Sequence, residues 1–170
     1  MQHWAHTTAH FVDGNICVGG YQAAANPHFV RENGFKRIVK MIADDGTYPG
    51  GFHRHPGVRY YVAAAEDVAS YNICNDIVGA VKFIREGVAA NEKVLVHCHA
   101  GISRSVTIVV AYLMICRGHS LSTALAAVRG VRAIANPNPG FMATLRSIDQ
   151  SLARLRGPPT LAGYRTGTPP

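Results

Sequence analysis

The spacing of apolar residues divides the chain into short strands and longer helices. Ile16 and Val18 mark a first strand over residues 15–19, and Ile38, Val39 and Ile42 mark a second over 35–42. Residues 58–62 read as a third strand, and Val94-Leu95-Val96 as a short buried fourth over 93–97. Small residues fill 21–26, and a short helix is predicted from Pro27 to the stop at Asn33-Gly34. Between the third and fourth strands Ile73, Ile77, Val81, Ile84 and Val88 recur at spacings of four, four, three and four. That period predicts an amphipathic helix, with Ser70 as its cap.

Three helices are predicted after the fourth strand. Residues 105–117 are almost wholly apolar and should run through the core, while 121–129 form a shorter helix ended by Gly130. Asn138-Pro139 reads as a cap and a first-turn proline for the last helix. Its Phe141, Leu145, Ile148, Leu152 and Leu155 are spaced four, three, four and three. Strands alternating with helices, and helices gathered toward the end, predict an α/β domain with a central mixed or mostly parallel sheet. Residues 1–10 carry no core pattern and are expected to be a flexible start. Residues 44–56 are broken by Asp44-Asp45-Gly46, Pro49-Gly50-Gly51 and Pro56-Gly57 into a loop. Residues 157–170, with four prolines and three glycines, are expected to be a disordered tail. Residues 11–156 remain as one folded domain.

Composition narrows the class. A chain of 170 residues suits one domain, and 48% hydrophobic against 16% charged residues excludes wholesale disorder. No apolar stretch reaches the roughly 18–20 residues of a membrane span. The first twenty residues hold no signal-peptide core, and Gln2 stands where a myristoylation signal needs glycine. The expectation is a soluble monomer without membrane attachment, cytoplasmic or alternatively nuclear. The 17 Lys+Arg against 10 Asp+Glu, a net +7, invite an anionic partner, yet no basic run of five or six singles out nucleic acid. Cys17, Cys74, Cys98 and Cys116 lie far apart without a CxxC pair, which argues against a disulfide framework. Three of them read as small core residues. His3, His6 and His10 could line one helical face toward a metal, but an exposed polar start is favoured without a carboxylate or thiol to complete the set.

The segment with chemistry is Val94-Leu95-Val96-His97-Cys98-His99-Ala100-Gly101-Ile102-Ser103-Arg104-Ser105. A buried strand ends in a cysteine, five residues form a loop, and an arginine opens a helix. A short loop with a glycine can turn successive backbone N–H groups around one anion, and the helix start adds its positive dipole end. Arg104 offers a planar fork for two oxygens of a phosphate. The same field favours a thiolate at Cys98, a nucleophile set beneath a bound phosphate.

Here the sequence resembles a known family. His97-Cys98-x5-Arg104-Ser105 is similar to the HCxxGxxR[ST] signature of cysteine-dependent protein tyrosine phosphatases, and its surroundings resemble the dual-specificity branch. Ala111-Tyr112-Leu113-Met114, Leu121-Ser122-x-Ala124-Leu125, Val128-Arg129 and Pro137-Asn138-Pro139-Gly140-Phe141 carry the likeness after the loop. Ile16-x-Val18-Gly19 and Asn33-Gly34-Phe35-x-Arg37-Ile38-Val39 carry it before, so that it covers roughly residues 14–155. The resemblance implies a protein-tyrosine-phosphatase-like fold, with 11–156 as the catalytic domain. It also implies hydrolysis of phosphotyrosine and phosphoserine/threonine through a cysteinyl-phosphate, with phosphorylated proteins as partners and no metal or other cofactor.

Residue roles follow from the resemblance. Cys98 is the expected nucleophile, Asp67 the general acid on a separate loop, and Ser105 the donor to the departing sulfur. Backbone amides of His99, Ala100, Gly101, Ile102 and Ser103 are expected to bind phosphate with Arg104, while His97 and Asn138 support the site. Glu66 is an alternative acid, and Asp76 a less mobile one within the helix; the reading set against Asp67 as the acid is a solvated carboxylate capping the next helix. His53, Arg54 and His55 could add positive charge, although a solvated loop is the simpler reading. Zinc at His97, Cys98 and His99 is disfavoured because alternate strand residues point to opposite faces. Two other functions stay open. One is a phosphatase for an RNA 5′ end or a phosphoinositide, against which the neutral Ala100 and Ile102 argue. The other is an inactive phosphoprotein-binding fold, against which Cys98 and Arg104 argue.

Overall fold

The computed structural model describes residues 9–43 and 54–156. Five strands form one sheet: β1 (Ala9–Asp13), β2 (Ile16–Gly19), β3 (Phe35–Lys40), β4 (Arg59–Val62) and β5 (Lys93–His97). Their order across the sheet is β1-β2-β5-β3-β4, with β1 antiparallel to β2 and every other pair parallel. This is the mixed, mostly parallel α/β sheet expected from the sequence. β5 lies at the centre, and its last residue, His97, is in register with Gly19 on one side and Lys40 on the other. Three strand ends therefore converge where the loop after β5 begins. In open parallel sheets that carboxyl edge is where ligands bind.

Side-chain alternation on β5 sets the layers. Val94 and Val96 face a large core with Ile16, Val18 and Val39, packed against the helices α3 (Cys74–Ala89), α4 (Arg104–Arg117), α5 (Leu121–Val131) and α6 (Pro139–Arg156). Leu95 faces the opposite side with Cys17, Phe35 and Ile38, covered by α1 (Tyr21–Ala25) and α2 (Pro27–Asn33). Every residue of α4 from Ser105 to Met114 is buried, so this helix is surrounded by sheet and helices, as its unbroken apolar run predicts.

Several boundaries differ from the sequence expectation, each for a local reason. β1 takes in Ala9 and His10 of the stretch expected to be a flexible start; Gly14-Asn15 supplies a tight turn into β2. Residues 1–8, 44–53 and 157–170, with His3, His6 and His53 among them, lie outside the described residues. The small-residue stretch after β2 is helical over Tyr21–Ala25. Ser70 does not cap α3, which starts four residues later behind Ile73 without a side-chain cap bond. Asn72 Oδ1 instead accepts from the Cys74 N–H at 3.2 Å. Gly130 does not end α5, because the helix continues to Val131 and the Arg132 N–H still reaches Val128 O at 2.8 Å. Of the three cysteines read as core residues, Cys17 is buried, Cys116 half-buried and Cys74 exposed.

The caps give a direct test. Ser120 Oγ accepts from the Thr123 N–H at 3.2 Å at the start of α5. Ser120→Ala should lower stability by about 1 kcal/mol in urea unfolding. Ser70→Ala should stay within about 0.5 kcal/mol of the parent, as for an exposed residue with no structural bond.

Candidate active site

Residues 98–103 turn the chain from β5 into α4, and every carbonyl in the turn is held from outside. Cys98 O accepts from His97 Nδ1 at 3.2 Å, and His99 O from the Tyr21 N–H at 2.8 Å. Ala100 O and Gly101 O accept from Arg132, through Nη2 at 2.8 Å and Nε at 2.6 Å. Ile102 O accepts from the Asn136 N–H at 2.8 Å, and Ser103 O from both the N–H and the hydroxyl of Thr107. In a planar peptide the C=O and the following N–H point opposite ways. Fixing the carbonyls of 99–103 outward therefore turns the N–H groups of 100–104 inward. Among the described residues, none of those five N–H groups donates to a protein acceptor. Gly101 has φ +68°, and a Cβ there would stand 2.5 Å from the Gly19 carbonyl carbon and 2.7 Å from Arg132 Nη2. Only glycine meets both demands.

The side chains of the site come from three directions. Cys98 is buried on the large-core side of the sheet, with Sγ 3.3 Å from Ser105 Oγ. The Ser105 hydroxyl also lies 3.4 Å from Gly19 O, so its one proton can turn to the carbonyl or to the sulfur. Arg104 Nη1 donates to Ala65 O at 3.0 Å, and its Nε lies 3.8 Å from Asp67 Oδ2. Asn138 Nδ2 donates to Asp67 Oδ1 at 2.9 Å. The same asparagine caps α6 by accepting from the Phe141 N–H, and its own N–H donates to Ser103 Oγ at 3.0 Å. Gly140 lets this helix start approach the loop of Asp67 closely, since a Cβ there would overlap Ala69 O at 1.9 Å.

Burial controls the charges around the loop. Desolvation is the main force holding His97 down to about 4, with the positive charges of Lys40 and Arg104 acting the same way. Its bond to Cys98 O opposes this without outweighing it, so the ring is neutral at pH 7 with the proton on Nδ1. Burial likewise pulls the Arg132 guanidinium below its ordinary value, while Cys98 and Cys17 act in the opposite sense. Cys17, on the other face of the sheet, is pushed up by burial to about 12 and stays a thiol at neutral pH.

The structure thus brings Cys98, Arg104, Ser105, Asp67 and Asn138 together around the loop of His99, Ala100, Gly101, Ile102 and Ser103, with His97 beneath it. Of the competing carboxylates, Glu66 is exposed, and Asp76 accepts from the Tyr71 hydroxyl at 2.9 Å within the first turn of α3. Arg54 stacks over Tyr60, and His55 is bonded to Ala24 O at 2.7 Å and to the Tyr60 hydroxyl. His10 lies on a strand, 3.2 Å from Arg132 Nη1, rather than on a helical face. Sequence reading passed over Arg132, Tyr21 and Gly140 as site residues. Arg132 carried no local signal, because its partners lie 31 and 32 residues away.

A thiol under five inward amides and an arginine, at the carboxyl edge of a mostly parallel sheet, defines a phosphatase fold of the cysteine-dependent protein tyrosine phosphatase superfamily. The dual specificity phosphatase catalytic domain matches residues 16–151 of the chain. Human dual specificity protein phosphatase 22 is 42% identical over 135 residues, 79% of this chain and 70% of that protein. Its Xenopus tropicalis counterpart is 35% identical over 77% of this chain, which spans 60% of that protein's length. The crystal structure of human DUSP28 superposes with a TM-score of 0.76 at 26% identity, over 85% of this chain and 94% of that one. The human tyrosine phosphatase-like serine/threonine/tyrosine-interacting protein gives 0.75 at 28%, over 85% and 98%. The chain belongs to the dual specificity phosphatase family.

The burial of His97 predicts a pH dependence of stability. Above about pH 6.5 the ring is neutral in both folded and unfolded chains, and its contribution is fully present. As pH falls toward 4 the unfolded chain takes up a proton that the folded chain refuses, so stability is lost. The loss levels off below that point at about 3 kcal/mol. Urea unfolding at pH 7, 5.5 and 4.5 should show His97→Gln losing less on acidification than the parent. Parallel curves for the two proteins would assign the acid sensitivity to other groups.

Proposed function

We propose that this protein is a dual-specificity phosphatase that hydrolyses phosphate monoesters of tyrosine, serine and threonine in proteins. The observation that carries this is the set of five inward amides of residues 100–104, none with a protein acceptor among the described residues. Such a ring matches three equatorial oxygens of a phosphoryl group, with the arginine fork completing it. The family relationship supports phosphoprotein substrates. The neutral Ala100 and Ile102 in the loop favour a singly phosphorylated side chain over a phosphoinositide or an RNA 5′ end. One structural neighbour bears a name that describes interaction, but the nucleophile and the arginine expected of an enzyme are both present here.

In the first step the Cys98 thiolate attacks phosphorus, and the ester P–O bond breaks. The departing electron pair goes to the leaving oxygen, which takes the Asp67 proton. Because Asn138 donates to Oδ1, Oδ2 is the oxygen left to carry that proton. It is also the one beside Arg104, where the phosphate is held. In the second step water attacks phosphorus and gives a proton to Asp67, while the S–P bond returns its electrons to sulfur. Ser105, whose hydroxyl can swing from Gly19 O to Sγ, stabilises the departing thiolate. Cys17 stays outside the chemistry as a neutral thiol.

Cys98→Ser should abolish turnover of a small aryl phosphate while tungstate binding persists; turnover near the parent level would overturn the nucleophile. Asp67→Asn should slow hydrolysis by roughly 100- to 10,000-fold for poor leaving groups such as phosphoserine peptides. An activated aryl phosphate, which needs little protonation, should suffer much less. Equal turnover of parent and variant on both substrates would hand the role to another acid.

A further inference from the structure

We propose that Arg132, at the carboxyl end of α5, is the positioning residue that aims the phosphate-binding amides of Gly101 and Ile102. Arg132 is almost wholly buried, with 1% exposure for the residue. Its two loop contacts fall on consecutive carbonyls, Ala100 and Gly101, at 2.8 and 2.6 Å. Those oxygens belong to the peptide planes whose other ends are the N–H groups of Gly101 and Ile102. A planar fork that holds both oxygens fixes the rotation of both planes at once. The other carbonyls of the loop are held by single backbone groups or by neighbours in sequence, so among the described residues no other side chain sets two planes together.

The surroundings are shaped for this contact. Gly101 leaves no Cβ in the path of Nη2, and the third nitrogen, Nη1, meets His10 Nδ1 at 3.2 Å on β1. The Arg132 backbone is fixed as well, through its N–H to Val128 O and its own carbonyl to the Ala135 N–H. From there the chain continues along the loop, so that Asn136 and Asn138 reach Ile102 O and Ser103 Oγ in turn. The segment from Arg132 to Asn138 is therefore a splint laid against the phosphate loop, and Arg132 is its only charged contact with it among the described residues. Arg132 touches no reacting atom in this assignment; it acts through the two amides.

The role rests on the phosphatase reading, and the test separates the two. The full chain is compared with Arg132→Lys, which keeps the charge, and Arg132→Gln, which keeps a planar donor; neither can hold both carbonyls in the same way. Tungstate affinity, aryl phosphate kinetics and thermal melting are measured on each, beside Ile84→Ala, a core truncation in α3 distant in function from the loop. Whichever Arg132 variant remains folded should lose at least about 10-fold in tungstate affinity and in kcat/KM, given that losing one oxyanion donor outright costs roughly 100- to 1,000-fold. Ile84→Ala should melt lower yet bind tungstate as the parent does. Parental tungstate affinity in a folded Arg132 variant would overturn the proposal, as would an equal loss in Ile84→Ala. A parent that binds tungstate without hydrolysing aryl phosphate would instead sink the phosphatase reading, and the tungstate comparison would still decide the role of Arg132.

Discussion

Everything in this fold answers to one demand, that five consecutive backbone N–H groups turn inward without a protein partner among the described residues. A chain left to itself satisfies its amides within helices or ladders. An N–H stranded in a dry interior costs about 1–3 kcal/mol. Five of them would rival the roughly 5–15 kcal/mol that holds a whole domain together. The loop can persist only at the open edge of the sheet, with its carbonyls fixed so firmly that the planes cannot rotate back. The partners that fix them come from nearly every part of the chain: Tyr21 after β2, His97 on β5, Thr107 in α4, and Arg132 and Asn136 after α5. The mostly parallel sheet brings these together by ending β2, β3 and β5 at one level.

The second loop of the site is coupled to the first rather than merely near it. Arg104 reaches Ala65 O and lies beside Asp67, while Asn138 bonds both Asp67 and Ser103 and caps α6. Gly140 removes the one side-chain atom that would push Ala69 away. A shift of α6 would therefore move Asp67, the proposed acid, and the loop after β5 together. That is a reasonable arrangement for a reaction in which proton delivery and attack at phosphorus must occur in one step.

What could be read from the sequence was whatever is written locally. The strand–Cys–loop–Arg–helix order, the period of α3 and the cap at Asn138 each depend on residues within a few positions of one another, and each appears in the structure. The acid loop was legible only through family resemblance, because Asp67, Glu66 and Asp76 are chemically alike in sequence. Contacts with Asn138 and Arg104 are what distinguish Asp67, and those are tertiary. β1 escaped because residues 9–13 form an edge strand with incomplete burial and a mixed pattern. Ser70 and Gly130 misled because propensity marks where a helix can begin or end, and packing of Ile73 and Arg132 decided otherwise. Arg132 itself was illegible: a lone arginine after a helix reads as solvated, and only burial under Ala100 and Gly101 gives it work.

That burial also changes how the net charge should be understood. The surplus of +7 is a property of the whole surface and is screened within about 8–10 Å at ordinary ionic strength. Arg104 and Arg132 act differently, since Arg104 opens α4 directly behind the loop and Arg132 bonds two of its carbonyls. Burying a guanidinium costs several kcal/mol unless hydrogen bonds and nearby negative charge offset it. Two carbonyls at 2.8 and 2.6 Å supply those hydrogen bonds. The contact that shapes the loop is therefore a local one, made by one buried guanidinium on two carbonyls, whatever the sign of the charge elsewhere on the surface.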